Sequence, residues 1–136
     1  MDLVVDANIL FSILIKSGKT EEIMLEPYLH LFCPEFIFEE FEKYEDEILE
    51  KTKRTEKEYK AVFEIIKIKI KTIPNEETEK YMDEARQISP DPNDVDYFAL
   101  ALKMKCGIWS NDKEIKDKQE EIRIYNTEEL IRLFDK

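Results

Sequence analysis

Short apolar runs alternate with helical segments along this chain, and this alternation limits the folds that are open to it. The predicted strands cover residues 3–5, 30–33, 68–73, 108–110 and 123–125. The predicted helices cover residues 7–16, 20–26, 34–51, 55–67, 75–88, 91–106 and 127–136. Strands that alternate with helices pack into a mostly parallel sheet with helices on both sides. We therefore expect an α/β protein with three layers, α/β/α, in which residues 1–136 form a single domain.

The ends of the predicted helices carry residues with known positional preferences. Ser17 and Gly18 follow the first helix as its C-terminal cap, and Pro34 opens the third helix. Gly107 ends the helix before the fourth strand, and Thr127 caps the last helix, which we expect to reach the C-terminus.

Composition predicts a cytoplasmic protein with a sizeable core. Of the 136 residues, 43% are hydrophobic, yet no run approaches the roughly 18 apolar residues of a membrane span. The N-terminus begins a strand without a basic leader, which argues against secretion. Cys33 and Cys106 lie in apolar runs without metal-binding spacing, so we expect reduced core thiols, with a disulfide between them as the less favoured alternative.

Charge is distributed unevenly along the chain. The net charge is −11, but residues 51–71 contain eight basic and three acidic residues, so this basic segment carries +5 and the rest carries −16. A basic strip beside an acidic metal site would suit a phosphate backbone. The favoured alternative is a solvated helix face with Glu/Lys pairs.

Four carboxylates occupy positions that an α/β fold brings to one edge of its sheet. Asp6 and Asp112 follow apolar strands, Asp94 begins an apolar helix, and Glu40 lies in the helix after the second strand. Open parallel sheets carry their chemistry at the carboxyl ends of the strands. Crowded carboxylates require a cation, and hard divalent cations prefer oxygen ligands. The pattern therefore predicts a divalent metal site, and phosphodiester cleavage follows as the second hypothesis.

Each acidic residue also has a purely structural interpretation. Asp6 is suited to capping the helix that follows it, and Asp112 stands where Asn-Asp turns are ordinary. Asp94 would be favoured by the helix dipole alone. Asp96 lies roughly 200° further round the same helix, so only one of the two can face the site, and we select Asp94.

Helical phase leaves the position of the fourth acid open. Glu40 flanks the inner face of its helix, Glu39 points almost directly away, and Glu45 flanks the other side, so phase alone does not exclude Glu45. His30 is the only histidine, which leaves little material for a histidine-based zinc site or a Ser/His/Asp triad.

This chain lacks residues that several other enzyme classes need. A haloacid-dehalogenase-type phosphoryl transferase wants a second aspartate at the place of Asn8, and a receiver domain wants an aspartate after the second strand, which ends in Cys33 and Pro34. Dinucleotide and P-loop sites need glycine-rich turns, whereas the chain has two glycines.

The acidic residues and their neighbours together resemble the PIN domain (PilT N-terminal) nuclease family, over nearly the whole chain. The first strand ends VVDAN, with Asp6 and Asn8, and FIFEEF places Glu40 early in a helix. The segment DVDYFALALKMKCGIWSND matches the third and fourth acids of the family. In this frame the matching residues are Asp94, Ser110, Asn111 and Asp112.

The resemblance implies a five-stranded sheet of order 3-2-1-4-5 and Mg²⁺- or Mn²⁺-dependent hydrolysis of single-stranded RNA. It includes the toxin ribonucleases of VapBC-type modules, which implies a small antitoxin protein as a partner and a homodimer. A housekeeping RNA-processing nuclease is equally open. The alternative from another class is a catalytically silent PIN-like scaffold that binds RNA or protein.

A mechanism follows as a hypothesis from the chemistry of these side chains. Asp6, Asp94 and Asp112 are the expected metal ligands, and Glu40 completes the catalytic set by holding metal-bound water or a second ion. Three polar residues would orient these carboxylates or contact phosphate. They are Asn8, Ser110 and Asn111.

Overall fold

A parallel sheet forms the centre of the molecule in the computed structural model, which describes residues 1–135. The strands are β1 (Asp2–Val5), β2 (His30–Pro34), β3 (Ile70–Ile73), β4 (Gly107–Trp109) and β5 (Ile124–Tyr125). Their order across the sheet is β3-β2-β1-β4-β5, and every neighbouring pair is parallel. This confirms the predicted α/β architecture and the strand order that the family resemblance implied.

Helices connect the strands and flank the sheet. Within the described residues they are α1 (Ala7–Ile15), α2 (Lys19–Met24), α3 (Phe36–Lys43), α4 (Glu45–Lys51), α5 (Glu56–Lys69), α6 (Met82–Ile88), α7 (Val95–Met104), α8 (Lys113–Asp117) and α9 (Thr127–Leu133). Single turns of 3₁₀-helix cover Asn75–Glu77, Glu79–Tyr81 and Pro92–Asp94.

The prediction of one long helix over residues 34–51 is wrong, because the helix begins later than predicted and is divided in two. Pro34 is instead the last residue of β2. A proline has no N–H to donate, and it is the N–H of the next residue, Glu35, that donates to the Ile73 carbonyl of β3. The helix begins at Phe36 and breaks at Tyr44, which separates α3 from α4.

Three predicted helix ends also differ from the structure. Gly18 does not cap α1, since Lys16 ends that helix in an extended conformation and Gly18 precedes α2. Asn126, rather than Thr127, caps α9 through a capping box with Glu129. The helix ends at Leu133 with Phe134 as its C-cap, so the predicted extension is wrong for residues 134 and 135, while residue 136 lies outside the described residues.

The core lies between the sheet and its helices. The helix α7 is apolar along most of its length and packs on β1 and β2, which holds its N-terminus at the edge of the sheet. Both cysteines have free thiols, as predicted, with Cys33 buried and Cys106 half-buried. Across residues 1–135, no helix combines the length and apolar character needed to cross a membrane.

Candidate functional site

The register of the sheet sets two candidate segments side by side. Val5 of β1 pairs with Trp109 of β4, and the Asp6 N–H donates to the Trp109 carbonyl at 3.3 Å. Asp6 and Ser110, the next residues along each strand, therefore leave the sheet at the same carboxyl edge. This is the edge at which open parallel sheets place their ligands.

Asp6 is buried at this edge, with 5% of its surface exposed. Its Oδ1 accepts the Ile9 N–H at 3.0 Å, so it caps α1, and the Ser110 hydroxyl also donates to its carboxylate. Burial raises the pKa of Asp6, and the charge of Asp112 raises it further, against the lowering effect of these hydrogen bonds. Capping and crowding with another acid therefore occur together at this residue.

Asp94 lies at the start of α7, half-buried and without a capping hydrogen bond from its side chain. Burial raises its pKa to about 6, and the charges of Asp91, Asp112 and Asp6 add to this effect. Burial also raises the pKa of Asp96, the rejected alternative, but the charge acting on it is that of Arg86, which lowers the pKa. The structure thus brings Asp94 into the electrostatic neighbourhood of Asp6 and Asp112.

Residues 110–112 form the turn between β4 and α8. The Asp112 N–H donates to Ser110 Oγ at 3.1 Å, and Asp112 Oδ1 accepts the Glu114 N–H at 2.8 Å, which caps α8. Asn111 Oδ1 accepts the Thr127 N–H at 2.8 Å and so ties this turn to the start of α9.

Three of the predicted site residues are exposed: Asn111 in the turn just described, Asn8 and Glu40. Asn8 lies in the first turn of α1 and is open to solvent. Glu40 is exposed on α3 and lines a cavity together with Phe11 of α1. The charges that raise the pKa of Asp94 come from three other aspartates, and Glu40 is not among them.

Tyr97 is a site residue that the sequence did not reveal. Its side chain is buried, and its hydroxyl accepts the Ala7 N–H at 3.1 Å. Burial raises the pKa of this phenol, and the charges of Asp6 and Asp94 raise it further. The hydroxyl therefore keeps its proton beside two carboxylates. Its spacing of three residues from Asp94, on the same face of α7, was the available signal.

The donor chemistry suits a hard divalent cation held largely through water. Among residues 1–135, no three or more His, Cys, Asp or Glu side chains are grouped so that they could hold a metal ion directly. Mg²⁺ keeps several waters and uses few carboxylates, so a tight cage is not required. Asp6, Asp94 and Asp112 supply oxygen donors whose mutual repulsion a dication would relieve.

In the basic segment, residues 51–71, half of the eight basic residues are engaged in hydrogen bonds or ion pairs within the protein. Arg54 donates to the Ile13 carbonyl and pairs with Glu21 at 2.8 Å. The ammonium group of Lys69 donates to two backbone carbonyls, at 2.9 Å each. Further pairs along α5 join Lys60 to Glu56 and Lys67 to Glu64. These contacts favour the interpretation of this segment as a solvated helix face with Glu/Lys pairs, and not as a continuous phosphate-binding strip.

The fold and its acidic edge define a doubly wound α/β protein with a carboxylate cluster where β1 and β4 end. Residues 4–127 match the family model of the PIN domain, and the chain belongs to this family.

The fold also has a counterpart among solved structures. The structure is similar to a chain in the crystal structure of VapBC2 from Rickettsia felis bound to a DNA fragment from their promoter. The TM-score is 0.68 at 14% sequence identity, with 93% of this chain and 98% of that chain covered. At this identity the likeness concerns the fold alone. No curated protein matches the sequence.

Proposed function

We propose that this PIN domain is a metal-dependent endoribonuclease that hydrolyses phosphodiester bonds of single-stranded RNA with Mg²⁺ or Mn²⁺. The observation that carries the proposal is the register of β1 and β4, which brings Asp6 and the 110–112 turn to one edge of the sheet, where the charges of Asp6 and Asp112 also act on Asp94. Membership of the PIN family supports the same reaction.

Asp6, Asp94 and Asp112 would hold the cation. When bound, it supplies charge neutralisation at the scissile phosphate and lowers the pKa of water. The chain fixes the carboxylates of Asp6 and Asp112 in advance through helix caps, and Ser110 also donates to Asp6. Tyr97 holds the first turn of α1 in place, because its hydroxyl accepts the Ala7 N–H.

The remaining predicted residues take supporting roles in this proposal. Glu40 is the fourth acid, approaching from α3. Asn8 is exposed at the start of α1 and is available for contact with the substrate. Asn111 is engaged with the Thr127 N–H, so its role is to keep the turn that carries Asp112 in place.

The test compares Asp6→Asn with Asp117→Asn, a control at an exposed aspartate on α8. We expect Asp6→Asn to abolish Mn²⁺-dependent cleavage of a labelled RNA oligonucleotide while the melting transition stays cooperative, because the carboxamide lacks the charge that holds a cation. The control should cleave like the wild type. Unchanged metal-dependent cleavage by Asp6→Asn would refute the assignment.

The biological setting that we propose is the toxin component of a toxin–antitoxin pair, acting as a homodimer with a small antitoxin partner. The similarity in fold to a chain of the VapBC2 complex supports this setting. Growth arrest on expression of the wild-type chain, and its absence with Asp6→Asn, would distinguish a toxin from a housekeeping RNA-processing enzyme.

A catalytically silent scaffold is the second candidate. It is favoured by the lack, within the described part of the chain, of three side chains grouped to hold a metal directly. Calorimetric titration with Mn²⁺ separates the two candidates, because only the nuclease requires saturable binding that Asp6→Asn weakens.

A further inference from the structure

A cavity of about 210 Å³ opens between α1, α3 and α4. Phe11 of α1 forms one side, and Tyr44 lies where α3 gives way to α4. Phe41 and Ile48 form part of the apolar lining. Pockets for drug-sized ligands begin at roughly 300 Å³, so this cavity suits a single flat group rather than an extended ligand.

Charged groups accompany the aromatic rings: Glu40, Glu47 and Lys51 line the cavity, and Lys43 lies beside Tyr44. Lys51 Nζ lies 6.0 Å from the centroid of the Phe11 ring, and Lys43 Nζ lies 5.4 Å from that of Tyr44. Tyr44 is 45% exposed, which leaves part of its surface open to a partner. Aromatic rings beside basic groups are the combination by which proteins bind single-stranded nucleic acid.

The cavity adjoins the acidic edge through α1. Phe11 follows Asn8 by three residues, so the two share a face of this helix. Phe11 is five residues from Asp6, or roughly 7.5 Å along the helix axis at about 1.5 Å per residue. Glu40, the proposed fourth acid, lines the same cavity. A strand of RNA at the aspartates would therefore pass the mouth of the cavity.

We propose that this cavity binds one nucleobase of the RNA strand next to the cleaved phosphate. The base stacks on Tyr44 and Phe11, and Lys51 and Lys43 face the adjoining phosphates. The proposal rests on the ribonuclease function and adds a base-binding subsite to it. An apolar side chain of a protein partner would fill the cavity without needing the two ammonium groups, and this favours RNA as the occupant.

The first experiment measures binding of a labelled single-stranded RNA oligonucleotide to Asp6→Asn protein, with Mg²⁺ present. Adding Tyr44→Ala should weaken binding about 5-fold or more, because one stacked base is lost. Tyr44→Phe keeps the ring and should restore affinity. Tyr28→Ala is the matched control, since Tyr28 is 74% exposed and precedes β2 at the opposite edge of the sheet.

A second pair of variants tests the ammonium groups. Lys51→Ala should weaken RNA binding, whereas Lys57→Ala, an exposed lysine of α5, should not. In protein that retains Asp6, Tyr44→Ala should raise KM by a similar factor and change kcat little, as expected for a group that binds substrate without taking part in the reaction.

The sharpest test pairs protein and RNA changes in a double-mutant cycle. Oligonucleotides that each lack one base should reveal a single position whose loss weakens binding to the parent but not to the Tyr44→Ala protein. Equal binding by Tyr44→Ala and Tyr28→Ala would overturn the subsite, including the case in which Tyr44 instead contacts a protein partner. If the wild type hydrolyses no RNA, the proposed ribonuclease function is wrong. If the wild type hydrolyses RNA and Tyr44→Ala leaves KM unchanged, only the proposed subsite is wrong.

Discussion

Asp94 differs from the other two aspartates of the cluster because nothing compensates its charge. Asp6 and Asp112 each cap a helix through a backbone N–H, whereas the Asp94 side chain makes no capping bond. Burial, followed by the charges of Asp91, Asp112 and Asp6, raises the Asp94 pKa from 3.8 to about 6. A raised folded-state pKa gives stability below about pH 4 that is lost as pH rises through about 6.

The metal-free protein should therefore gain stability when Asp94 is neutralised at neutral pH. Asp94→Asn in EDTA should raise the free energy of unfolding by about 1 kcal/mol at pH 7.5, after discounting for solvent screening at a half-buried group. The gain should shrink as pH is lowered to 4, where the folded wild type already holds the proton. Urea unfolding at both pH values measures the gain. An equal gain in the free energy of unfolding at the two pH values would show that it does not come from removing the charge of Asp94.

Single residues also show where sequence analysis reached its limit at the site. Helical phase distinguished Asp94 from Asp96, and the structure places Asp96 within the influence of Arg86. Tyr97 was indistinguishable from a core aromatic, because its role depends on a contact with Ala7, 90 positions away. Glu40 lies in the helix after the second strand, but helical phase could not show that it lines the same cavity as Phe11.

At the scale of elements, strongly patterned segments were predictable and weakly patterned ones were not. The apolar run that forms β1 and the amphipathic pattern of α5 gave nearly the observed bounds. The period-two pattern from residue 68 misplaced the start of β3, because α5 continues to Lys69. The helix predicted over residues 75–88 begins instead with two 3₁₀ turns, which local propensity does not distinguish from α-helix.

The contact between β4 and β5 depends on a glycine. A Cβ at Gly107 would lie 2.6 Å from the Arg123 carbonyl oxygen and 3.0 Å from the Tyr125 ring. Gly107→Ala should therefore lower the free energy of unfolding by about 2 kcal/mol, since backbone must move to admit the methyl group.

Gly18→Ala is the matched control for this prediction, because nothing lies within 4 Å of a Cβ there. Denaturant melts of the two variants give the comparison. Equal free energies of unfolding for the two variants would contradict the prediction, because they would show that β5 can move away from a methyl group at residue 107 without a cost in stability.

Across the whole molecule, the net charge of −11 would limit how the RNA of the proposed function is bound. Much of the positive charge in residues 51–71 is engaged by carboxylates and backbone carbonyls. The proposed subsite adds Lys43 and Lys51 as phosphate contacts. Affinity should accordingly come from the cation and from base stacking rather than from a broad basic surface.

The salt dependence of RNA binding tests this view. With about two lysine contacts, log affinity should fall with log salt with a slope of about −1.4 at constant Mg²⁺. Fluorescence anisotropy across a potassium chloride series measures the slope, and Lys51→Ala should make it shallower by roughly 0.7. A slope steeper than about −4 would reveal an extensive basic interface and contradict the assignment.

The strand order has a consequence for how the protein is made. β1 lies between β2 and β4, so the strand that leaves the ribosome early acquires its second neighbour only after residues 107–109 have emerged. Asp6 is thus translated long before Asp94 and Asp112, its companions at the sheet edge. A nascent chain that stops short of β4 has no assembled cluster, so the metal binding proposed for these aspartates would have to wait until β4 has been synthesised.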